Sequence, residues 1–184
     1  MKKRLHHIAT IQTGVFAQSS AEGSIVYLQA KHFNELGELT ATLHADLLQN
    51  KSIQKHLLQK GDLLFAAKGT KNFAAIYDFS ETCVASTSFF VIRLQTNDII
   101  PEFLAWHLNQ PNTQAALKAQ AIGTAIVSIS KAVLENIEIP IPNIYTQHKI
   151  LKINQLRHHE KLLHQQIEQL KDKKINLLIT NTLN

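Results

Sequence analysis

The stretch TQHKILKINQLRHHEKLLHQQIEQLKDKKINLLITNTL, residues 146–183, decides the plan of this chain. It contains no proline or glycine and is rich in good helix formers, Leu, Lys, Gln, Glu and Ile. Ile153, Leu156, Glu160, Leu163, Ile167, Leu170, Lys174 and Leu177 recur at alternating steps of three and four. That spacing keeps one seam turned toward a partner helix, as in a coiled coil. Glu160 and Lys174 are polar where the pattern wants apolar side chains; such residues cost stability but specify register and partner. Leu162, Ile175 and Leu178 widen the apolar face. At 1.5 Å per residue the helix reaches roughly 50 Å, too far to lie wholly against one small domain. The reading predicts a head over 1–145 and a dimerisation and spacer helix over 146–184 whose apolar face must find a partner.

The head is long enough to bury about two thirds of its unfolded surface. Hydrophobic residues make up 45% of the chain, as in ordinary globular proteins. The one cysteine, Cys83, has no partner for an internal disulfide, so a reducing cytoplasm is the default and a small buried hydrophobe its simplest role. Lys2-Lys3-Arg4 mimics the basic start of a signal peptide, but His6, His7, Thr10, Gln12 and Thr13 interrupt the apolar run that would have to follow. No run of about 18 apolar residues exists, so no membrane span is expected.

The formal charge of +5 is unevenly placed. Residues 1–145 carry 12 Lys+Arg against 11 Asp+Glu, and residues 146–184 carry 7 against 3, with four of the ten histidines. A basic helix suits a polyanion through phosphate contacts and released counterions; it equally suits a solvated coiled-coil face.

Along the head, residues 4–11 place Leu5, Ile8 and Ile11 at helical or irregular spacing before Gly14 breaks the segment. Residues 25–28, 63–67, 73–77, 83–85 and 89–94 read as strands, rich in β-branched and aromatic residues. Lys60-Gly61-Asp62 reads as a turn, and Lys71-Asn72 as the tip of a hairpin. Segment 89–94 is apolar on both faces and belongs inside a sheet, with Arg93 satisfying a local carboxylate. Pro101 starts a helix that buries Phe103, Leu104 and Leu108 and stops near Pro111. A second helix follows from about Thr113 to Ala121. Ser130 caps a turn through Leu134, Ile137–Ile139 is a short edge strand ended by Pro140 and Pro142, and Thr146 caps the long helix. The fold class is α+β: a mixed or antiparallel twisted sheet with flanking helices, then the long helix.

Several segments, in this order, resemble the specificity subunit of type I restriction–modification systems. Ile137-Glu-Ile-Pro-Ile-Pro142, with Gln147 and Ile150 behind it, resembles the family's Ile-x-Ile-Pro-x-Pro junction into a helix with an early Gln. Gly123-Thr124, Ser128-Ile129-Ser130 and Leu134 resemble the segment that precedes that junction. Lys60 to Gly69 resembles the family's Gly-Asp strand with its second glycine, and Arg4-Leu5 to Gly14 its opening segment. The family's full subunit has two recognition heads and two such helices, whereas this chain has one of each. An acidic residue often found before the helix Gln is replaced by Tyr145 and Thr146.

The resemblance implies a DNA-reading subunit that does no chemistry and needs no cofactor of its own. S-adenosylmethionine, Mg²⁺ and ATP belong to partner subunits, a methyltransferase and a restriction endonuclease. The residues agree. There is no Gly-x-Gly-x-x-Gly loop, and Asp62 is followed by Ala66, Ala67 and Lys68, without the second acid that a Mg²⁺-holding nuclease needs. His6-His7 and His158-His159 are adjacent pairs that point to different faces, and spaced histidines with supporting cysteines are absent, so no zinc site is expected. Candidate readers of double-stranded DNA are Lys68, Lys71 and Asn72 at the hairpin tip, Ser86 and Thr87 between strands, and Gln120 and Thr124. Lys31, His32, Lys118 and Lys131 are candidate phosphate clamps. Two copies of the helix pairing antiparallel place a head at either end of a two-helix spacer, with Leu163 facing Ile167 of the second copy. The competing reading is a coiled-coil adaptor that does not read DNA.

Overall fold

The computed structural model describes residues 1–20, 22–69, 72–121 and 128–183. Contacts divide the chain into two compact units, Met1–Ile144 and Tyr145–Asn184.

The first unit holds three sheets rather than one. Strands β2 (Ala9–Thr13), β5 (Leu63–Ala66), β6 (Ala74–Ile76) and β8 (Phe89–Leu94) form an antiparallel sheet in the order β2-β8-β5-β6. Strands β3 (Ile25–Leu28), β4 (Ala45–Leu47) and β7 (Cys83–Ala85) form a second, with β3 antiparallel to β4 and parallel to β7. Strands β1 (Lys2–Arg4) and β9 (Glu138–Pro140) make a two-stranded ribbon. Side chains alternate faces along a strand, and β3 buries all four of its residues. Val26 and Leu28 enter a core with Phe33, Phe73 and Phe89, while Ile25 and Tyr27 enter another with Leu47, Ile53 and Val84. Both faces of β3 and β7 are covered, which is why these two strands read as unbroken apolar runs.

In the first core the rings of Phe33, Phe73 and Phe89 lie 5.7 to 6.1 Å apart between centroids, within the range of favourable aromatic packing. Cys83 is fully buried there; burial pushes its thiol up to about 12 and Tyr77 up to about 12. Cys83 is the buried hydrophobe expected.

Strand β8 is internal to its sheet, as its two apolar faces require. Arg93 finds its carboxylate: Nε donates to Asp62 Oδ1 at 2.7 Å and Nη2 to Oδ2 at 2.6 Å. Gly61 turns with φ +88°, a conformation that favours glycine. The opening segment departs from expectation. Residues 4–11 are two strands joined by a single 3₁₀ turn, Leu5–His7, because β1 pairs with β9 and β2 with β8. Sheet pairing overrides the local spacing. That turn also brings the His6 and His7 rings edge to face with centroids 4.0 Å apart, where opposite faces had been expected.

Helices α1 (Lys51–Gln54), α2 (Pro101–Leu108), α3 (Pro111–Ala119) and α4 (Lys131–Asn136) complete this unit. Pro111 opens α3 instead of closing α2, in the same first-turn position that Pro101 takes in α2. Ser130 caps α4 by accepting from the Val133 N–H at 3.2 Å.

From Tyr145 on, the second unit consists of the helix α5 (Ile144–Leu183), 40 residues and roughly 60 Å long. It begins directly after Pro142-Asn143, two residues before Thr146, so Thr146 lies inside the first turn and is not the cap. Ile153, Leu156, Leu163, Ile167, Leu170 and Leu177 are all exposed. Among the described residues no helix is long and apolar enough to cross a membrane.

Candidate nucleic-acid interface

One end of the paired sheets gathers most of the candidate residues. The C-terminal ends of β2, β3, β5 and β7 and the starts of β6 and β8 all fall there, as the registers Thr13↔Phe90, Leu28↔Ala85, Phe65↔Ala74 and Ala66↔Phe89 require. The segments leaving that end stay tied together by backbone bonds. Ala67 N–H donates to Ser88 O at 2.9 Å, Ile129 N–H to Ala67 O at 2.9 Å, and Val15 N–H to Ala85 O at 2.8 Å. Lys68 bridges to Ser128, and Val15 to Ser86. Gly14 makes this convergence possible: a Cβ there would come within 2.1 Å of Ser86 O, closer than any side chain tolerates.

The sequence candidates separate on this frame. Lys68 is exposed and Thr87 half-buried, and they share the end with Ser88 and Ser128. Asn72 and Ser86 face inward. Asn72 is buried, donating from Nδ2 to Ala66 O at 2.9 Å, and Ser86 is buried with its hydroxyl 2.6 Å from that of Ser88. Both bonds tie the loops at this end together, and among the described residues the Asn72 Oδ1 has no hydrogen-bond partner. Lys71 and Thr124 lie outside the described residues. Lys31 is exposed in the 3₁₀ turn Ala30–His32 that follows β3 at the same end. His32, beside it, is half-buried and accepts from the Gln29 N–H at 3.3 Å through Nδ1. Burial, and then the nearby Lys31 charge, hold its pKa below the usual histidine value. The ring closes the Ala30–His32 turn onto the Gln29 backbone.

Lys118 and Gln120 are exposed at the end of α3, Gln120 donating to Ala116 O at 3.4 Å. Lys131 is exposed on α4 and pairs with Glu135 at 3.5 Å. An exposed pair of this kind is worth little and leaves the ammonium free to exchange onto a phosphate. Sequence reading missed Phe16, which is 79% exposed next to Val15 and lines a separate groove with Leu47, Leu48, Asn50 and Ile53. An aromatic two residues after a strand-breaking glycine was the available signal. It also missed Ser88 and Ser128. Among the described residues no group of three or more His, Cys, Asp or Glu is placed to hold a metal.

The histidines set a pH dependence. His107 on α2 is held below the usual value, chiefly by burial, against a backbone hydrogen bond to Glu138. A base whose pKa is lowered on folding favours the native state above its unfolded pKa of 6.5, and loses that advantage as pH falls from there through the lower native value. Urea midpoints are expected to drop between pH 7.5 and 5.5, and the drop is expected to shrink in the H32Q/H107Q variant. An identical drop in the variant would remove these two residues from the account.

A family model, Type I restriction modification DNA specificity domain, matches residues 2–172. Among solved structures, the S subunit of a type I restriction–modification system from M. genitalium is 18% identical over 85% of this chain, with a TM-score of 0.60. A chain from a structural study of assembly and conformational transition in the type I R-M system is 17% identical over 89%, with a TM-score of 0.65. The HsdS subunit of Thermoanaerobacter tengcongensis is 18% identical over 86%, with a TM-score of 0.58. The chain spans 38%, 39% and 37% of those three chains, in that order. No match is found among curated proteins. At such identities the solved structures establish the fold, and the family model establishes descent: the chain belongs to the type I restriction–modification DNA specificity family.

Proposed function

We propose that this chain is the sequence-reading subunit of a type I restriction–modification system, acting in the cytoplasm as a pair of copies joined through α5. The head sets the sheet end that carries Lys68, Thr87, Ser88 and Ser128 against the major groove, where donor and acceptor patterns distinguish all four base pairs. The hydroxyls and Lys68 are suited to polar base edges. Lys31, Lys118 and Lys131 grip phosphates and fix register without reading sequence. What carries this is the convergence of an exposed lysine and hydroxyl-bearing turns at one sheet end, in a chain of the specificity family.

Two copies of α5 pair antiparallel, with Leu163 facing Ile167 of the second copy, and hold two heads apart. Two-fold symmetry then calls for inverted half-sites separated by unread base pairs, roughly 34–36 Å apart at one helical turn. The chain supplies recognition; methyl transfer comes from a methyltransferase subunit docked on the spacer, and cleavage from an endonuclease subunit.

A fluorescence titration with duplex DNA at 50 and 200 mM salt tests the reading. Binding is expected to weaken steeply with salt, Lys118→Ala to reduce the log–log slope by about 1, and Lys68→Ala to relax base preference. Thr87→Ala is expected to alter base preference. The isolated chain is expected to transfer no methyl group, and to direct site-specific methylation when mixed with a cognate methyltransferase subunit. Absent or salt-independent binding would favour the adaptor reading.

A further inference from the structure

We propose that Glu160 and Lys174 set the direction in which two copies of α5 pair: each Glu160 carboxylate meets the Lys174 ammonium of the second copy, which antiparallel pairing permits and parallel pairing forbids. This rests on the pairing read above and adds the device that orients it.

Both residues occupy inner positions of the apolar stripe, and both are exposed. Glu160 lines a shallow groove of about 300 Å³ with Leu156, His159, Leu163, His164 and Ile167. This is the kind of hollow that receives a side chain from a facing helix. Glu168 is already engaged by Lys171 at 2.7 Å, whereas among the described residues neither Glu160 nor Lys174 forms an ion pair. The positions bordering the stripe are cationic or neutral; they include Lys152, Arg157, Lys171 and Lys173. Glu168 and Asp172 lie outside both the stripe and its borders. Glu160 is therefore the one carboxylate that any facing helix of the same sequence meets.

The geometry follows from the spacing. With Leu163 opposite Ile167 of the second copy, the layers continue as Glu160 opposite Leu170, Leu156 opposite Lys174 and Ile153 opposite Leu177. All eight stripe positions are then matched. Glu160 and the facing Lys174 sit in neighbouring layers, about one helical turn of roughly 5 Å apart along the axis, within reach of two long side chains. The two-fold axis repeats the contact. In a parallel pair in the same register, Glu160 faces Glu160 and Lys174 faces Lys174, and two like-charge contacts are forced into the seam. The complementarity is a property of the chain with itself, so the occupant of the stripe is a second copy.

The test uses the full chain and sedimentation equilibrium. E160K and K174E, each alone, are expected to self-associate roughly tenfold or more weakly than the native chain. The double variant E160K/K174E is expected to recover native affinity. A mixture of the two single variants, one carrying a mass tag, is expected to form mixed dimers of native strength. If E160K pairs as tightly as the native chain, or the double variant stays as weak as the singles, the orienting role is wrong while pairing itself stands. If the native chain does not associate, pairing and its orientation fail together.

Discussion

Replacing Arg93 with alanine is expected to lower unfolding free energy by about 3 kcal/mol, the scale seen when one partner of a buried ion pair is removed. The argument starts at Asp62, whose side chain is 2% exposed. Its two oxygens accept the Arg93 fork at 2.7 and 2.6 Å, and Oδ2 also takes the Gln59 N–H at 2.8 Å. Without the guanidinium, a carboxylate stays inside the protein with one donor and no countercharge. Arg93 is about one-third exposed, so water can partly replace it, which places the effect at the low end of that range. Asp62 also anchors the turn into β5, where its backbone carbonyl accepts from Tyr77 at 2.8 Å. The loss is therefore expected to act on the central sheet, not on a surface loop. Arg93→Lys keeps the charge but not the two parallel bonds and should fall between. Urea unfolding of the native chain and both variants measures this; a change below about 1 kcal/mol in Arg93→Ala would mean that the pair is solvated and dispensable.

The second large effect belongs to α5. Leu163→Lys with Ile167→Lys is expected to abolish self-association at micromolar concentration while leaving the head folded. Four apolar side chains leave the centre of a symmetric pair, two from each copy. At about 1.5 kcal/mol for each, roughly 6 kcal/mol is lost, about four orders of magnitude in dissociation constant. DNA affinity for a two-part inverted site should fall toward that for a single half-site, because the second head is no longer tethered. Sedimentation and titration together decide it: a variant that still sediments as a dimer would show that the stripe is not the contact. A crosslink between positions 163 and 167 should join two copies.

The order of elements was legible where the physical cause is local. The apolar stripe of α5, the first-turn proline of α2, the Ser130 cap and the all-apolar β8 are each set by residues within a few positions of one another. The Arg93 pairing was legible as well, since a charge in an apolar strand demands a carboxylate. Residues 4–11 were not legible, because their conformation comes from partners more than 80 residues away in β8 and β9. Nor were Ala45–Leu47 and Lys51–Gln54, short elements made stable by the core they close.

The candidate interface divides the same way. Lys68 and the Ser86–Ser88 turn were visible as polar punctuation between strands. Asn72 and Ser86 looked like their exposed neighbours, and only packing turned them inward. By itself the sequence determined the family, the α+β class and a terminal helix with one greasy side, because periodicity and turn chemistry are written in adjacent residues. The tertiary structure alone decided that the loops at 14–15, 29–32, 67–68 and 86–88 share one end of the sheets. Strand register is a long-range quantity: it depends on which distant strands pair, and no local spacing encodes it.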